Sequence, residues 1–393
     1  MKNVLYVSPY SPISSVQGAG GQACNYYVKK LSKMSDISLL VLCASHDRDK
    51  EFVELKSEGL DGIIFQIPKK NIFSRIISKF YINYSGYLDF RYVKSMIKNA
   101  MRIKTEFSFT PDFVIFDWEE TAYLLPDLKK IFPNSKFSVV EQDVVSQLRF
   151  RYYKNEKNLF GRLYKFLLYK NILRLEKKMF GNIDMVQVFT KKDADLVKNV
   201  SSSVNIFVMS PYYHNFNIFP LVKNRKNDIL FYGYLARAEN QEAAFWLIEK
   251  ILPNLPKECR CVILGGNPPE SLIKMQNERV VITGFQSEEQ LVEWFKNSLC
   301  MVVPLKHGAG IKIKVLEAMS SGLPVLTNEI GIEGIPAKNG VDYIHCESEN
   351  DFVQGIKTLL QNKDYAYNIG NSSRELLQRE FNYEDSSYLC WSV

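Results

Sequence analysis

Two doubly wound α/β halves in tandem are the architecture this sequence predicts, and three observations predict it. The chain has 393 residues, too many for one ordinary core and enough for two domains of similar size. Short apolar runs alternate with longer amphipathic stretches along its length. The alternation pauses once near the middle and then starts afresh. The apolar fraction of 46% is that of a globular protein.

In the first half the apolar runs fall at 4–8, 38–43, 62–67, 113–117, 137–140, 185–189 and 205–209. They lack polar alternation, so they suit a parallel sheet covered on both faces. The stretches between them, such as 22–34 and 119–132, have helical spacing. Alternation this regular argues for a doubly wound sheet. Residues 211–227 hold Pro211, asparagines and aromatics without periodicity, and they read as a linker between domains at 1–210 and 228–380. The second series has runs at 229–232, 261–264, 280–283, 300–303 and 325–327. Two successive open α/β sheets imply facing halves with a cleft, and ligands in such folds bind beyond the carboxyl ends of the strands.

A net charge of +7 is mild and names no partner by itself. The seven cysteines are scattered, and only Cys259 and Cys261 lie close, without further residues at metal-ligand spacing. Such a set reads as buried thiols in a reducing compartment. The four histidines, His46, His214, His307 and His345, form no metal cluster. Met1-Lys2-Asn3 leads straight into strand-like sequence, and no apolar run approaches the ~20 residues that span a bilayer. The expectation is a cytoplasmic protein, soluble or peripheral on the cytoplasmic face of a membrane.

The densest chemical signal runs from Pro304 to Val325. It is a buried strand, a loop carrying Gly308 and Gly310, a helix starting near Lys312, and another strand. Glycines at a loop-to-helix junction let backbone N–H groups come close to a ligand, and the helix start favours a phosphate. Lys312 and Lys314 add full positive charges there. Glu317, about a turn further on, is placed to accept hydrogen bonds from a ribose diol. A plain strand–loop–helix with solvated lysines would read the same way, so the surrounding residues have to decide.

They do. The run Gly308-Ala-Gly-Ile-Lys-Ile-Lys-Val-Leu-Glu-Ala-Met-Ser-Ser-Gly-Leu-Pro-Val325, followed by Gly331-Ile-Glu-Gly-Ile335, resembles the donor-site signature of glycosyltransferase family 4. The upstream runs 229–235, 262–266 and 281–285 follow in that family's order. The resemblance implies a GT-B fold of two Rossmann-like domains and a retaining transfer of sugar from a nucleotide diphosphate sugar to a saccharide acceptor. It implies no cofactor beyond the nucleotide sugar, no metal, and a final segment, 381–393, that returns to the first domain.

Residue by residue, Glu317 matches the second glutamate of the family's E-x7-E motif, which holds the ribose. Ala309 stands in place of the first, as in a subgroup with a Gly-x-Gly-x-Lys-x-Lys loop. Tyr234 and Asn240 replace a basic pair that usually meets the diphosphate, which leaves Arg237, Lys312 and Lys314 as substitutes, with Lys312 also a catalytic candidate. Gly233 and Gly266 complete the donor set in this half. In the first half, Gly20 and Gly21, within Gly18-Ala-Gly-Gly21, resemble the family's glycine loop near the donor diphosphate. Glu141-Gln-Asp143 stands where relatives carry Glu-His-Asp, so Glu141 and Asp143 are candidates to orient a sugar hydroxyl. Asp143 as the N-cap of the following helix is the alternative.

Asp193-Ala-Asp195 has the look of a metal-binding Asp-x-Asp but reads as an exposed helix face. From Arg149 to Lys178 ten Lys/Arg stand against two Glu among many aromatics, and 69–104 is similarly basic. Such segments favour an anionic membrane surface and a lipid-linked acceptor over nucleic acid, for which no reader motif is present. Two rival readings share the fold: a catalytically inactive partner subunit, suggested by Ala309, Tyr234, Asn240 and Gln142, and a sugar-nucleotide epimerase.

Overall fold

Residues 1–16, 18–45, 47–67 and 89–381 are described in a computed structural model. The chain forms two compact units, Met1–Met209 and a second beginning at Ser210. In the first, strands β1 (Lys2–Ser8), β2 (Ile37–Ser45), β3 (Gly62–Gln66), β4 (Phe113–Asp117), β5 (Lys136–Glu141), β6 (Met185–Val188) and β7 (Asn205–Val208) lie in the order 3-2-1-4-5-6-7. Every pairing is parallel. Leu5, Val7, Leu42, Val114, Phe116, Phe137 and Val139 are wholly buried in this sheet, which explains the unbroken apolar runs. The order reverses between β1 and β4, so that is where a doubly wound sheet opens a crevice.

Helices α1 (Ala19–Ser32), α2 (Arg48–Ser57), α3 (Phe90–Thr105), α4 (Glu119–Ala122), α5 (Leu125–Ile131), α6 (Val145–Asn155), α7 (Leu159–Phe180) and α8 (Lys191–Val200) belong to this unit. The single helix expected over 119–132 is two. Proline has no N–H and its ring collides with the carbonyl four residues earlier, so Pro126 stops α4 at Ala122 and sits in the first turn of α5. The helix expected from residue 22 begins at Ala19, and this takes Gly20 and Gly21 out of the loop and into the first turn.

The second unit repeats the plan with β8 (Lys226–Tyr232), β9 (Arg260–Leu264), β10 (Val280–Gly284), β11 (Ser298–Val303), β12 (Val325–Thr327) and β13 (Ile344–His345), ordered 10-9-8-11-12-13 and parallel. Its α-helices are α9 (Ala238–Trp246), α10 (Glu270–Ile273), α11 (Glu288–Asn297), α12 (Ile313–Ser320), α13 (Glu349–Gln361) and α14 (Lys363–Glu380). Two residues are too few for β13 to leave an apolar run, so sequence pattern missed it.

The stretch read as a linker is docked on this unit instead. Phe216 is buried edge-on against Phe295 with ring centroids 5.2 Å apart. The Arg225 guanidinium donates to the carbonyls of Phe295 (2.7 Å), Ser298 (3.3 Å) and Gly322 (2.9 Å). Several main-chain oxygens thus hold one guanidinium, so the segment has a fixed path. The expected return of the final residues to the first domain concerns 382–393, which lie outside the described residues.

Helix α14 packs backbone to backbone on the turn after α12. A Cβ at Gly370 would lie 2.1 Å from the Gly322 carbonyl oxygen, and Arg374 beside it donates to the Ser321 carbonyl at 2.7 Å. Backbone cannot yield as a side chain can. Gly370→Ala is therefore expected to destabilise the protein by about 3 kcal/mol, measured by denaturant unfolding; an unchanged midpoint would contradict this packing.

Candidate functional site

In the second unit the ends of the strands come so close that only glycine fits. Gly265 has φ 147°, and a Cβ there would stand 1.9 Å from the Gly233 carbonyl oxygen. The Gly233 N–H donates to the Leu264 carbonyl (3.0 Å) and the Leu235 N–H to the Gly266 carbonyl (2.9 Å), so the chains after β8 and β9 continue as neighbours. Gly266 faces open space apart from the Tyr234 ring.

Gly233 is glycine for a second reason. A Cβ there would lie 2.7 Å from Lys314 Nζ. Lys314, in the first turn of α12, reaches through this gap and donates to Asn240 Oδ1 at 2.6 Å. Asn240, in the first turn of α9, is fixed in turn by donating to the Tyr234 carbonyl at 2.8 Å. The ammonium sits 4.9 Å from the centre of the Phe231 ring. Burial, with the Arg237 charge adding to it, pulls the Lys314 pKa down to about 7. Among the described residues neither helix start is capped by a side chain, an arrangement that suits an anion.

The other basic candidates are placed differently. Lys312 turns back beneath the glycine loop and donates to the carbonyls of Ala309 (2.9 Å) and Gly310 (2.6 Å), with Glu333 Oε2 at 3.8 Å. It ties down a loop in which Gly308 and Gly310 both have positive φ, 147° and 63°. Asn328 fastens the same loop from the other side by donating to the Leu305 carbonyl at 2.7 Å. Arg237 is more than half exposed, with Glu239 at 4.0 Å. Glu317 is buried, its Oε1 accepting a long 3.5 Å bond from the His214 N–H, and burial raises its pKa to about 8. Gly308, Gly310, Lys312, Lys314, Gly233 and Asn240 are thus brought together, with Glu317 one turn deeper. Sequence reading passed over Glu333, although it lies in the Gly331-Ile-Glu-Gly run, and took Asn240 as a loss where it is an anchor.

In the first unit the switch point gathers polar groups at the ends of β1, β4 and β5. Ser8 Oγ donates to Asp117 Oδ2 at 3.1 Å, and burial raises Asp117 to about 7. Trp118, with φ 69°, leads into α4. A Cβ on Gly20 would meet the Trp118 ring at 2.5 Å, and one on Gly21 would meet Val16 at 2.4 Å. These two glycines therefore let the start of α1 close on its neighbours.

Glu141, Glu119 and Glu176 are buried together nearby. Neither carboxylate oxygen of Glu141 has a hydrogen-bond partner among the described residues. Burial first, then the charges of Glu119 and Glu176, hold Glu141 well above the ordinary carboxylate range. Glu176 accepts from the Ser146 N–H at 2.8 Å and is pushed up to about 7 by burial. Burial among other carboxyls thus favours the protonated form of Glu141. Asp143 is partly exposed and does not cap the next helix, because Val144 holds the N-cap position. Trp118, Asp117 and Glu119 were missed, since their importance lies in a positive φ and a strand order that spacing does not reveal.

Asp193 corrects a further expectation. It is buried, not exposed, and accepts from the Thr190 hydroxyl at 2.6 Å in the cap of α8, while Asp195 faces solvent. Among the described residues no group of three or more His, Cys, Asp or Glu is arranged to hold a metal ion, and no helix is long and apolar enough to cross a membrane. Six of the seven cysteines are described, and all six are buried and unbridged.

Comparison with known proteins bears on the fold. Residues 226–362 match the family model described as glycosyl transferases group 1. The chain is 22% identical over 373 residues to an uncharacterized 44.6 kDa protein in the cps region of Klebsiella pneumoniae, spanning 88% of this chain and 92% of that one. It is 31% identical over 144 residues to sulfoquinovosyl transferase SQD2 of Arabidopsis thaliana, spanning 34% of this chain and 27% of that protein. Among solved structures, sucrose-phosphate synthase from Thermosynechococcus elongatus superposes with TM-score 0.74 at 15% identity, over 98% of this chain and 96% of the other. HepE of Anabaena in complex with UDP gives 0.68 at 12% identity, covering all of both chains. At these identities the likeness establishes the fold: two parallel-sheet α/β domains of the GT-B class.

The acid cluster carries a measurable signature. Because its folded pKa values lie above the unfolded ones, its contribution to stability is complete below about pH 4 and is lost as pH rises through the folded values. For Asp117 and Glu176 the loss begins near the ordinary carboxylate value of about 4 and is complete once pH passes about 7. Glu141→Gln removes one ionisation, so its Tm relative to wild type is expected to rise as pH rises from acid to mildly alkaline. A difference in Tm independent of pH would contradict the burial of a neutral Glu141.

Proposed function

We propose that this chain is a retaining glycosyltransferase that moves a sugar from a nucleotide diphosphate sugar to a saccharide acceptor, lipid-linked and destined for a cell-surface polysaccharide. The observation that carries the proposal is the partly buried Lys314 ammonium, held between two uncapped helix starts and cleared by Gly233. A cation in that setting suits a diphosphate. The group 1 match over the same residues supports the transferase reading, UDP in HepE supports the donor class, and the cps-region relative supports the polysaccharide context.

In this reading the bond between the anomeric carbon and the diphosphate oxygen breaks as the acceptor hydroxyl attacks from the same face. The acceptor proton passes to the departing phosphate oxygen. Negative charge grows on the leaving group and is met by Lys314, by the N–H groups that open α9 and α12, and by Arg237 at the rim, so that neither a metal nor a further cofactor is called on. Lys312 acts by holding the glycine loop in register. Glu317, kept neutral by burial, both accepts from and donates to a ribose diol. In the first unit, the partly exposed Asp143 orients a sugar hydroxyl with Glu141 buried behind it, and Gly20 and Gly21 let α1 begin close against Trp118 and Val16.

Thermal shift against a panel of UDP-, GDP- and dTDP-sugars tests the donor class; a Tm raised by none of them would leave the proposal without its substrate. With the donor identified, Lys314→Met is expected to lower turnover about a hundredfold, the effect of removing one preorganised contact to developing charge, and Lys312→Ala to lower it by a similar factor by releasing the glycine loop from its tether, while the protein stays folded. Near-normal turnover in Lys314→Met would take that residue out of the reaction.

A further inference from the structure

Helices α6 and α7 form a hairpin held by its own aromatic contacts. Phe150 meets Tyr169 with centroids 5.4 Å apart and Tyr153 meets Phe166 at 5.3 Å. Only the last turns of α7 are tied to the rest of the first unit, through Ile172, Leu175, Glu176, Met179 and Phe180. No residue from 159 to 171 is buried. Along that outer part Leu159, Phe160, Leu163, Tyr164 and Leu167 are 80%, 86%, 58%, 54% and 58% exposed. Their spacing puts them on one stripe of the helix. Single exposed apolar residues need no explanation, but five adjoining ones do.

The charges around the stripe choose the occupant. Lys154, Lys157, Arg162, Lys170 and Arg174 are all exposed. The two acids of the hairpin are withdrawn, Glu156 by Lys165 at 2.6 Å and Glu176 by burial. A second copy of the chain would set the same cations against each other, and a soluble neutral partner would leave them unanswered. An anionic bilayer accepts both the apolar stripe and the cations.

We infer that the outer half of α7 is a membrane-insertion surface, which lays Leu159, Phe160, Leu163, Tyr164 and Leu167 into the acyl boundary of an anionic leaflet while the flanking lysines and arginines meet its phosphates. The geometry describes a helix lying in the interface, not one that spans it. The inference rests on this surface alone and would survive failure of the donor assignment.

Flotation of the full chain with vesicles decides it. The protein is expected to float with vesicles of phosphatidylcholine and phosphatidylglycerol in equal parts, to stay behind with phosphatidylcholine alone, and to lose binding as salt rises. The triple variant Phe160→Ser, Leu163→Ser, Leu167→Ser changes only exposed positions, so its circular dichroism and Tm should match wild type while its partitioning falls at least roughly tenfold. Arg162→Glu with Lys170→Glu should weaken anionic vesicle binding at least about twenty-five-fold, since each basic residue near such a surface is worth about fivefold. Wild-type protein that ignores anionic vesicles overturns the inference, as does a triple variant that floats equally well. So does a wild-type dimer, without vesicle binding, that the triple variant turns into monomers, because copies of the chain would then be the occupant.

Discussion

An ammonium group removed from water needs compensation, and Lys314 has little. One neutral hydrogen bond to Asn240 and the face of Phe231 offset only part of a desolvation cost of several kcal/mol, which is why its pKa falls to about 7. Much of the second unit's ligand end is arranged around this residue. Gly233 lacks a side chain where the ammonium passes, and Gly265 lacks one where the next strand closes on Gly233. Asn240 is held by the Tyr234 carbonyl so that its own oxygen faces the lysine. In the proposed reading, the diphosphate supplies the charge that Asn240 and Phe231 do not.

The neighbouring loop shows a division of labour between two lysines only two residues apart. Lys312 has its ammonium on the loop's own carbonyls, so the positive charge is used to shape backbone. Lys314 projects across to another helix. The acid cluster at the switch point of the first sheet follows the opposite logic, with carboxyls buried until they are neutral. Both units thus present groups whose charge state a ligand or a proton can change, at the strand ends where doubly wound sheets bind ligands.

Much of this was legible beforehand, for identifiable reasons. Strands buried on both faces leave continuous apolar runs, so β4 and β12 could be bounded to the residue, while the two-residue β13 left nothing to read. The Gly308–Glu317 segment is local, and its loop-to-helix character follows from its residues alone. What sequence could not supply was pairing across the chain. Asn240 looked like a lost lysine until Lys314, 74 residues away, was seen to reach it. Residues 211–227 looked like a linker because their order comes from Arg225 and Phe216 packing onto distant carbonyls and rings rather than from periodicity. Asp193 looked exposed because its partner, the Thr190 hydroxyl, is a capping contact inside the helix start.

The central claim is that a partly buried Lys314, its pKa drawn down to about 7, becomes the full counter-charge of a diphosphate. Calorimetric titration with UDP and with GDP, one pH unit above the lysine's value of about 7 and in two buffers of different protonation enthalpy, measures the protons taken up on binding. The account predicts uptake approaching one proton per bound nucleotide, lost in Lys314→Met, and an affinity that weakens as pH climbs further. Tight binding with no proton uptake, or uptake unchanged in Lys314→Met, would contradict it.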